Sequence, residues 1–236
     1  MSLYDTLLDP IPAAPIRRIV IGVNWTFVET TNGSGLAQTP RRDAPGCQPI
    51  KGAGDLARRD LHTVAELIRS ANPMETTLGM AAINAHHNRY DVTGTNENGL
   101  EAFRDAGGPV TVVGRFPGLE RYLKEFRVVE REPRAGEYAE RDFGTLVRDS
   151  AGVVITASTL ANKSAERLFE LAQGRRIAIV GPGTPLAAEL YDFGVEVLAG
   201  SIVENADLAA IIVAQTGGAP TLKQACRYVT LKAPRP

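Results

Sequence analysis

Between Val153 and Ser201 the chain repeats one unit: a short apolar run, a turn of hydroxyls and glycines, then a segment with helical character. The runs are Val153-Val154-Ile155, Ile177-Ala178-Ile179-Val180 and Val195-Glu196-Val197-Leu198-Ala199. They end in Thr156-Ala157-Ser158-Thr159, in Gly181-Pro182-Gly183-Thr184-Pro185 and in Gly200-Ser201. The first run has no polar alternation, as a strand covered on both faces requires. Strands covered in this way, with helices between them, make a doubly wound parallel α/β sheet. Ligands of such sheets lie beyond the C-terminal strand ends, where helix N-termini offer unpaired N–H groups to polar or anionic groups.

The alternation begins upstream of this segment. A helix is predicted at 98–105, a strand at 110–113, the turn Gly114-Arg115-Phe116-Pro117-Gly118, a helix at 119–125 and a strand at 126–130. With strands at 153–156, 177–180 and 195–199, the predicted sheet order is 2-1-3-4-5, which places Val110 and Val153 on neighbouring strands at the topological switch point. A helix at 207–215 and a strand at 227–231 close the pattern, while 132–141 reads as a charged loop. Residues before 91 have a different character. A helix at 3–8 precedes strands at 18–24 and 25–31, and the turn Asn32-Gly33-Ser34-Gly35 leads to a short strand at 36–39, so this sheet is antiparallel. A loop at 41–54 and helices at 60–70 and 74–86 follow, the second with Asn72 as N-cap and Pro73 in its first turn. The expected organisation is an α+β domain over 1–96 and a doubly wound α/β domain over 97–236.

The length of 236 residues suits one large or two small domains. A net charge of −1, from 26 basic and 27 acidic residues, carries no signature of nucleic-acid or membrane-surface binding. No apolar run reaches the roughly 20 residues that a membrane helix needs. The acidic start, MSLYDTLLDPIP, lacks the basic region of a signal peptide. Cys47 and Cys226 form no CxxC unit and are expected to be unpaired thiols in a reducing compartment. The expected location is the cytoplasm, and a homo-oligomeric assembly is compatible with this reading.

Three motifs carry the site reading. In Gly181-Pro182-Gly183-Thr184-Pro185 the glycines allow close backbone approach, and Thr184 is expected to cap a helix with Pro185 at its first position. The motif departs from the dinucleotide fingerprint, because Leu186 stands at the third glycine position and the next strand ends in Gly200-Ser201 without a carboxylate. The strand at 110–113 and its glycine turn with Arg115 mimic the dinucleotide logic, because the next strand ends at Glu130, a carboxylate able to accept hydrogen bonds from a diol. Yet the turn is not GxGxxG, and the ERE stretch at 130–132 reads equally as plain surface. In Thr156 to Asn162, Thr159 or Asn162 is expected to cap the next helix, which leaves Thr156 and Ser158 for ligand contact. Metal chemistry is weakly encoded. The three histidines include only the adjacent pair His86 and His87, which diverge by about 100° on a helix, and no Cys/His cluster has zinc spacing. No nucleophile elbow is visible.

The runs VVITASTLAN and GPGTPLAAELYDFGVEVLAGSIV, together with IGVNWTFVE, LGMAAINA and VVGRFPGLE, resemble the putative heavy-metal-chelation family over nearly the whole chain. The resemblance implies an enolase-N-terminal-like first domain, a Rossmann-like second domain and a site in the cleft between them. Carried onto this sequence, it favours Thr156, Ser158, Asn162, Gly181, Pro182, Gly183, Thr184, Gly200 and Ser201, with Asn84 approaching from the first domain. The sequence offers no obvious set of soft ligands, so a metal would arrive carried by an organic chelator. The expected function is binding of a small polar or anionic ligand. The alternative is an enzyme acting on a nucleotide-like or other anionic metabolite, with Arg115 and Glu130 as polar participants.

Overall fold

The computed structural model describes residues 2–40 and 49–234, so Cys47 lies outside the described residues. Helix α1 (Leu3–Leu8) starts in a capping box, in which Ser2 accepts from the Asp5 N–H and Asp5 accepts from the Ser2 N–H. Strands β1 (Ile16–Ile21), β2 (Trp25–Thr30) and β3 (Ser34–Gln38) form an antiparallel sheet in that order. β3 begins earlier than expected because Asn32 and Gly33 complete the turn, which the Thr30 N–H closes on the Gly33 carbonyl. Helix α2 (Leu61–Ala65) tightens into a 3-10 turn at Glu66–Arg69 where an α-helix to 70 was expected. Helix α3 (Pro73–His87) is capped by Asn72 and is buried on nearly every side. It lies directly on β3: a Cβ at Gly35 would stand 1.9 Å from the Ala81 carbonyl oxygen.

The large sheet holds β4 (Val110–Val113), β5 (Phe126–Glu130), β6 (Tyr138–Ala139), β7 (Gly152–Thr156), β8 (Arg176–Val180), β9 (Val195–Val203) and β10 (Cys226–Lys232). Its helices are α4 (Phe143–Leu146), α5 (Ser158–Ala161), α6 (Ala165–Leu171), α7 (Ala206–Ala214) and α8 (Ala219–Leu222). The strand order is β10-β9-β8-β7-β4-β5-β6, which contains the expected 2-1-3-4-5. Thr111 pairs with Val153 across the switch point. All pairings are parallel except that of β10 with β9. Two details differ from expectation. The charged stretch at 132–141 supplies the edge strand β6, and the helices expected at 98–105 and 119–125 are 3-10 turns, Gly99–Phe103 and Leu119–Arg121.

Side chains alternate between the faces of the large sheet. Val112, Val154, Ala178 and Val197 pack with Leu100 and Phe103 on one face. Val113, Val153, Ile155 and Ile179 on the other join a core that also contains Leu3, Leu7, Val28, Leu78 and Ile83. The small sheet is covered by α3 on one face, and its other face packs Trp25, Phe27 and Leu36 against Ala209, Ile212 and Val213 of α7. The early and late parts of the chain therefore share their apolar interior.

Candidate functional site

A cleft of about 1410 Å³ opens at the C-terminal ends of β4, β5 and β7. One wall comes from early residues: Gln38 and Thr39 at the end of β3, and Ser70, Met74, Thr76 and Thr77 around the start of α3. The opposite wall holds Gly114, Arg115, Glu130, Thr156, Ser158 and Thr159. Asn162, Lys163 and Arg134 complete the rim. Strand order produces this arrangement, because connections diverge to opposite faces between β4 and β7 and leave a crevice there.

Local hydrogen bonds set the polar wall. The Thr159 hydroxyl donates to the Thr156 carbonyl at 2.7 Å, and the Thr156 and Ser158 hydroxyls stand 3.3 Å apart. Asn162 is not a cap of a continuing helix. Its Oδ1 accepts from the Ser164 N–H and hydroxyl, Lys163 takes a left-handed backbone with φ 65°, and the helix restarts as α6. The Lys163 ammonium reaches across the cleft to the Ser70 carbonyl at 2.5 Å. Neither Lys163 nor Arg134 forms an ion pair with a carboxylate among the described residues, so two cations on the rim keep free donors. Arg115 is engaged: its guanidinium donates at 2.7 and 2.5 Å to the two oxygens of Glu137. Those bonds and one from the Arg134 N–H hold the Glu137 carboxyl down at about 2.

The other expected residues lie in a buried hydrogen-bond network behind the cleft. Asn84 donates to the carbonyls of Leu36 and Gly183, at 2.7 and 2.9 Å. Asn88 donates to those of Thr184 and Ser201, and its own Oδ1 accepts from the Leu186 N–H. The Ser201 hydroxyl donates to the Pro182 carbonyl. A Cβ at Gly200 would lie 2.6 Å from the Thr184 carbonyl oxygen, and Gly181 has φ 139°. This network joins α3 to the turn after β8 and to β9, which does not end in a turn at Gly200-Ser201 as expected but runs on to Val203, because β10 pairs with it there. Thr184 does not cap a helix: residues 184–187 are irregular, and only a 3-10 helix follows at Ala188–Phe193. The bonds from Asn88 hold the backbone that a helix would have used.

Sequence reading missed Asn88, Lys163 and Arg134. Asn88 could have been found as the polar residue closing α3; the roles of Lys163 and Arg134 depend on tertiary placement alone. Among the described residues, no group of three or more His, Cys, Asp or Glu side chains could hold a metal ion. The described cysteine, Cys226, is absent from the cleft lining, and burial pushes its thiol up to about 12. No helix among these residues is long and apolar enough to cross a membrane.

Two family models match the chain, both described as "Putative heavy-metal chelation": DUF364 over residues 100–232 and DUF4213 over residues 4–87. No curated protein matches. A crystal structure of a DUF364-family protein of unknown function from Desulfitobacterium hafniense DCB-2 superposes with a TM-score of 0.88 at 29% identity, covering 98% of this chain and 97% of that one. Another of unknown function, from Pyrococcus horikoshii, gives 0.80 at 20% identity with 98% of each chain covered, which speaks for the fold alone.

Proposed function

The chain belongs to the DUF364 putative heavy-metal chelation family, and on that premise we propose that it binds a small polar or anionic ligand in the cleft at the ends of β4, β5 and β7. With residues 1–96 taken as one domain and 97–236 as the other, this cleft is interdomain. The observation that carries the reading is the composition of the cleft wall. Thr156, Ser158, Thr76 and Thr77 line a space rimmed by Lys163 and Arg134, neither of which has a carboxylate within ion-pair distance of its charged group among the described residues. An unpaired ammonium or guanidinium beside hydroxyl donors suits carboxylate, phosphate or similar oxygens. The left-handed Lys163 supports the same reading, since a strained backbone at a non-glycine residue costs about 1–3 kcal/mol and is retained mainly at functional positions.

The family description concerns heavy metals, and the described side chains do not fit direct coordination. Soft metals select thiolate and imidazole donors. Among the described residues, the cleft lining contains neither cysteine nor histidine. The metal is therefore cargo, delivered in a complex whose organic part supplies the donors and whose anionic edge meets Lys163 and Arg134. Native mass spectrometry of freshly purified protein, paired with elemental analysis, tests this. A co-purified organic molecule whose removal also removes the metal is the expected result. Metal that remains stoichiometric on the stripped protein would refute carriage by a chelator. Amide shifts caused by the returned molecule should fall at 156–164, and shifts confined to 49–54 would refute the placement.

A further inference from the structure

Glu130 ends β5 and stands on the cleft wall. Its side chain is 22% exposed, and the nearest cationic atom, Arg115 Nη1, is 3.8 Å from its Oε1. It accepts no hydrogen bond among the described residues. Glu137 is its opposite, taking both donors that Arg115 directs at a carboxylate and the Arg134 N–H as well. Glu137 thus takes the carboxylate-directed hydrogen bonds of Arg115, and Glu130 keeps an ion pair with it without a hydrogen bond. A carboxylate on the cleft wall whose acceptor positions are not filled by protein hydrogen bonds can take donors from a ligand.

Its place in the sheet narrows what those donors are. Counted in chain order within the large sheet, the strands lie 3-2-1-4-5-6-7, from β6 through β5, β4, β7, β8 and β9 to β10. Glu130 ends the second strand, and Gly114 opens the turn after the first. Gly114 has φ 95°, and a Cβ there would meet Thr156 Cγ2 at 2.7 Å, so this turn lies against the end of β7 without side-chain obstruction. In sheets of this order, a carboxylate ending the second strand accepts the hydroxyls of a ribose laid across the neighbouring strand end. A dinucleotide also needs a helix after the first strand to receive its pyrophosphate. Here that helix is the single 3-10 turn Leu119–Arg121. The ribose part of the arrangement is present and the pyrophosphate part is not.

We infer that the ligand contains a ribonucleoside whose vicinal 2′ and 3′ hydroxyls donate to Glu130. This rests on the cleft being the ligand site. The test titrates AMP, GMP, CMP and UMP, each beside its 2′-deoxy counterpart, into the full chain, by calorimetry and amide chemical shifts. At least one ribonucleotide should perturb 114–115, 130–131 and 156–158, and its deoxy form should bind at least about tenfold more weakly, the scale of one hydrogen bond to a charged group. Glu130→Gln should weaken the ribonucleotide by at least about tenfold and the deoxy form, which keeps its 3′ hydroxyl, by less, so that the preference for the ribonucleotide shrinks. An unchanged far-UV circular dichroism spectrum shows that the variant is folded. Absence of binding by all ribonucleotides, equal binding within every pair, or an unaltered preference in Glu130→Gln would overturn the inference. The two readings fail separately. Equal binding with shifts in the cleft removes the diol and leaves the ligand site standing. A co-purified molecule that shifts no cleft residue removes the site itself.

Discussion

Thr184 is fully buried, and its hydroxyl has no hydrogen-bond partner among the described residues; the same is true of Asn84 Oδ1. A capping threonine replaced by valine would cost about 0.5–2 kcal/mol. Since Thr184 caps nothing, the sign reverses: Thr184→Val keeps the shape, removes a buried unsatisfied group and should stabilise by about 1 kcal/mol. Denaturant unfolding at constant slope checks this, and a loss of stability would mean that the hydroxyl has a partner in solution. The same residue marks how far the site was legible. Thr156, Ser158, Thr159, Asn162, Arg115 and Glu130 were identifiable because a parallel strand must end beside the crevice, and they line it. Gly181 to Thr184, Gly200, Ser201 and Asn84 have the same local chemistry, but their polar groups are directed to α3 and the turns it meets. Nothing within a short window of sequence separates a turn that lines the cleft from one that meets a helix about a hundred residues away.

The meeting of α3 with α1 depends on two neutral imidazoles. His87 is buried and donates from Nε2 to the Leu7 carbonyl at 3.0 Å, since a carbonyl can only accept. Burial lowers its pKa, outweighing that bond and the nearby Glu189, with Arg89 adding to the decrease. His86 is half-buried beside it and is lowered to about 4, by burial first and then by His87 and Arg89. Both are neutral in the fold and protonate near 6.5 once unfolded. The unfolded state therefore binds more protons between about pH 6.5 and 4, and stability present above that window declines as pH falls through it. Unfolding midpoints at pH 7.5, 6.5, 5.5 and 4.8 should fall in sequence, with a shallower fall in His86→Gln; a flat profile would contradict the assignment. The lowered carboxylates Asp5 and Glu137, both at about 2, act at lower pH. Element boundaries were less legible than element order. Apolar runs and their turns indicated the parallel strands, whereas Pro185-Leu186-Ala187-Ala188 reads as a helix start and is not one. There the Leu186 N–H is committed to Asn88, and that tertiary bond outweighs local propensity.

Two of the apolar clusters join the early and late parts of the chain. Leu3, Leu78 and Ile83 pack in the same cluster as Val153, Ile155 and Ile179, and α7 covers the outer face of the small sheet. Chains of more than about 150 residues commonly unfold in stages. This one should unfold in a single transition, because separating its parts strips the core of both. The one tryptophan, Trp25, lies in the small sheet against α7, so its fluorescence reports that region while far-UV circular dichroism reports the whole. The two denaturant profiles should coincide; an earlier change at Trp25 would show that the small sheet opens independently. The shared interior also sets a timetable. The Tyr4 hydroxyl donates to the Leu160 carbonyl, 156 residues later, and translation at about 5–20 residues per second separates their synthesis by roughly 8–30 s. Throughout that interval Leu3, Leu7 and Leu8 lack part of their final neighbours, and the outer face of the small sheet waits longer still for α7. The nascent first half therefore leaves part of its apolar surface uncovered until late in synthesis, and the speed of the ribosome sets how long that lasts.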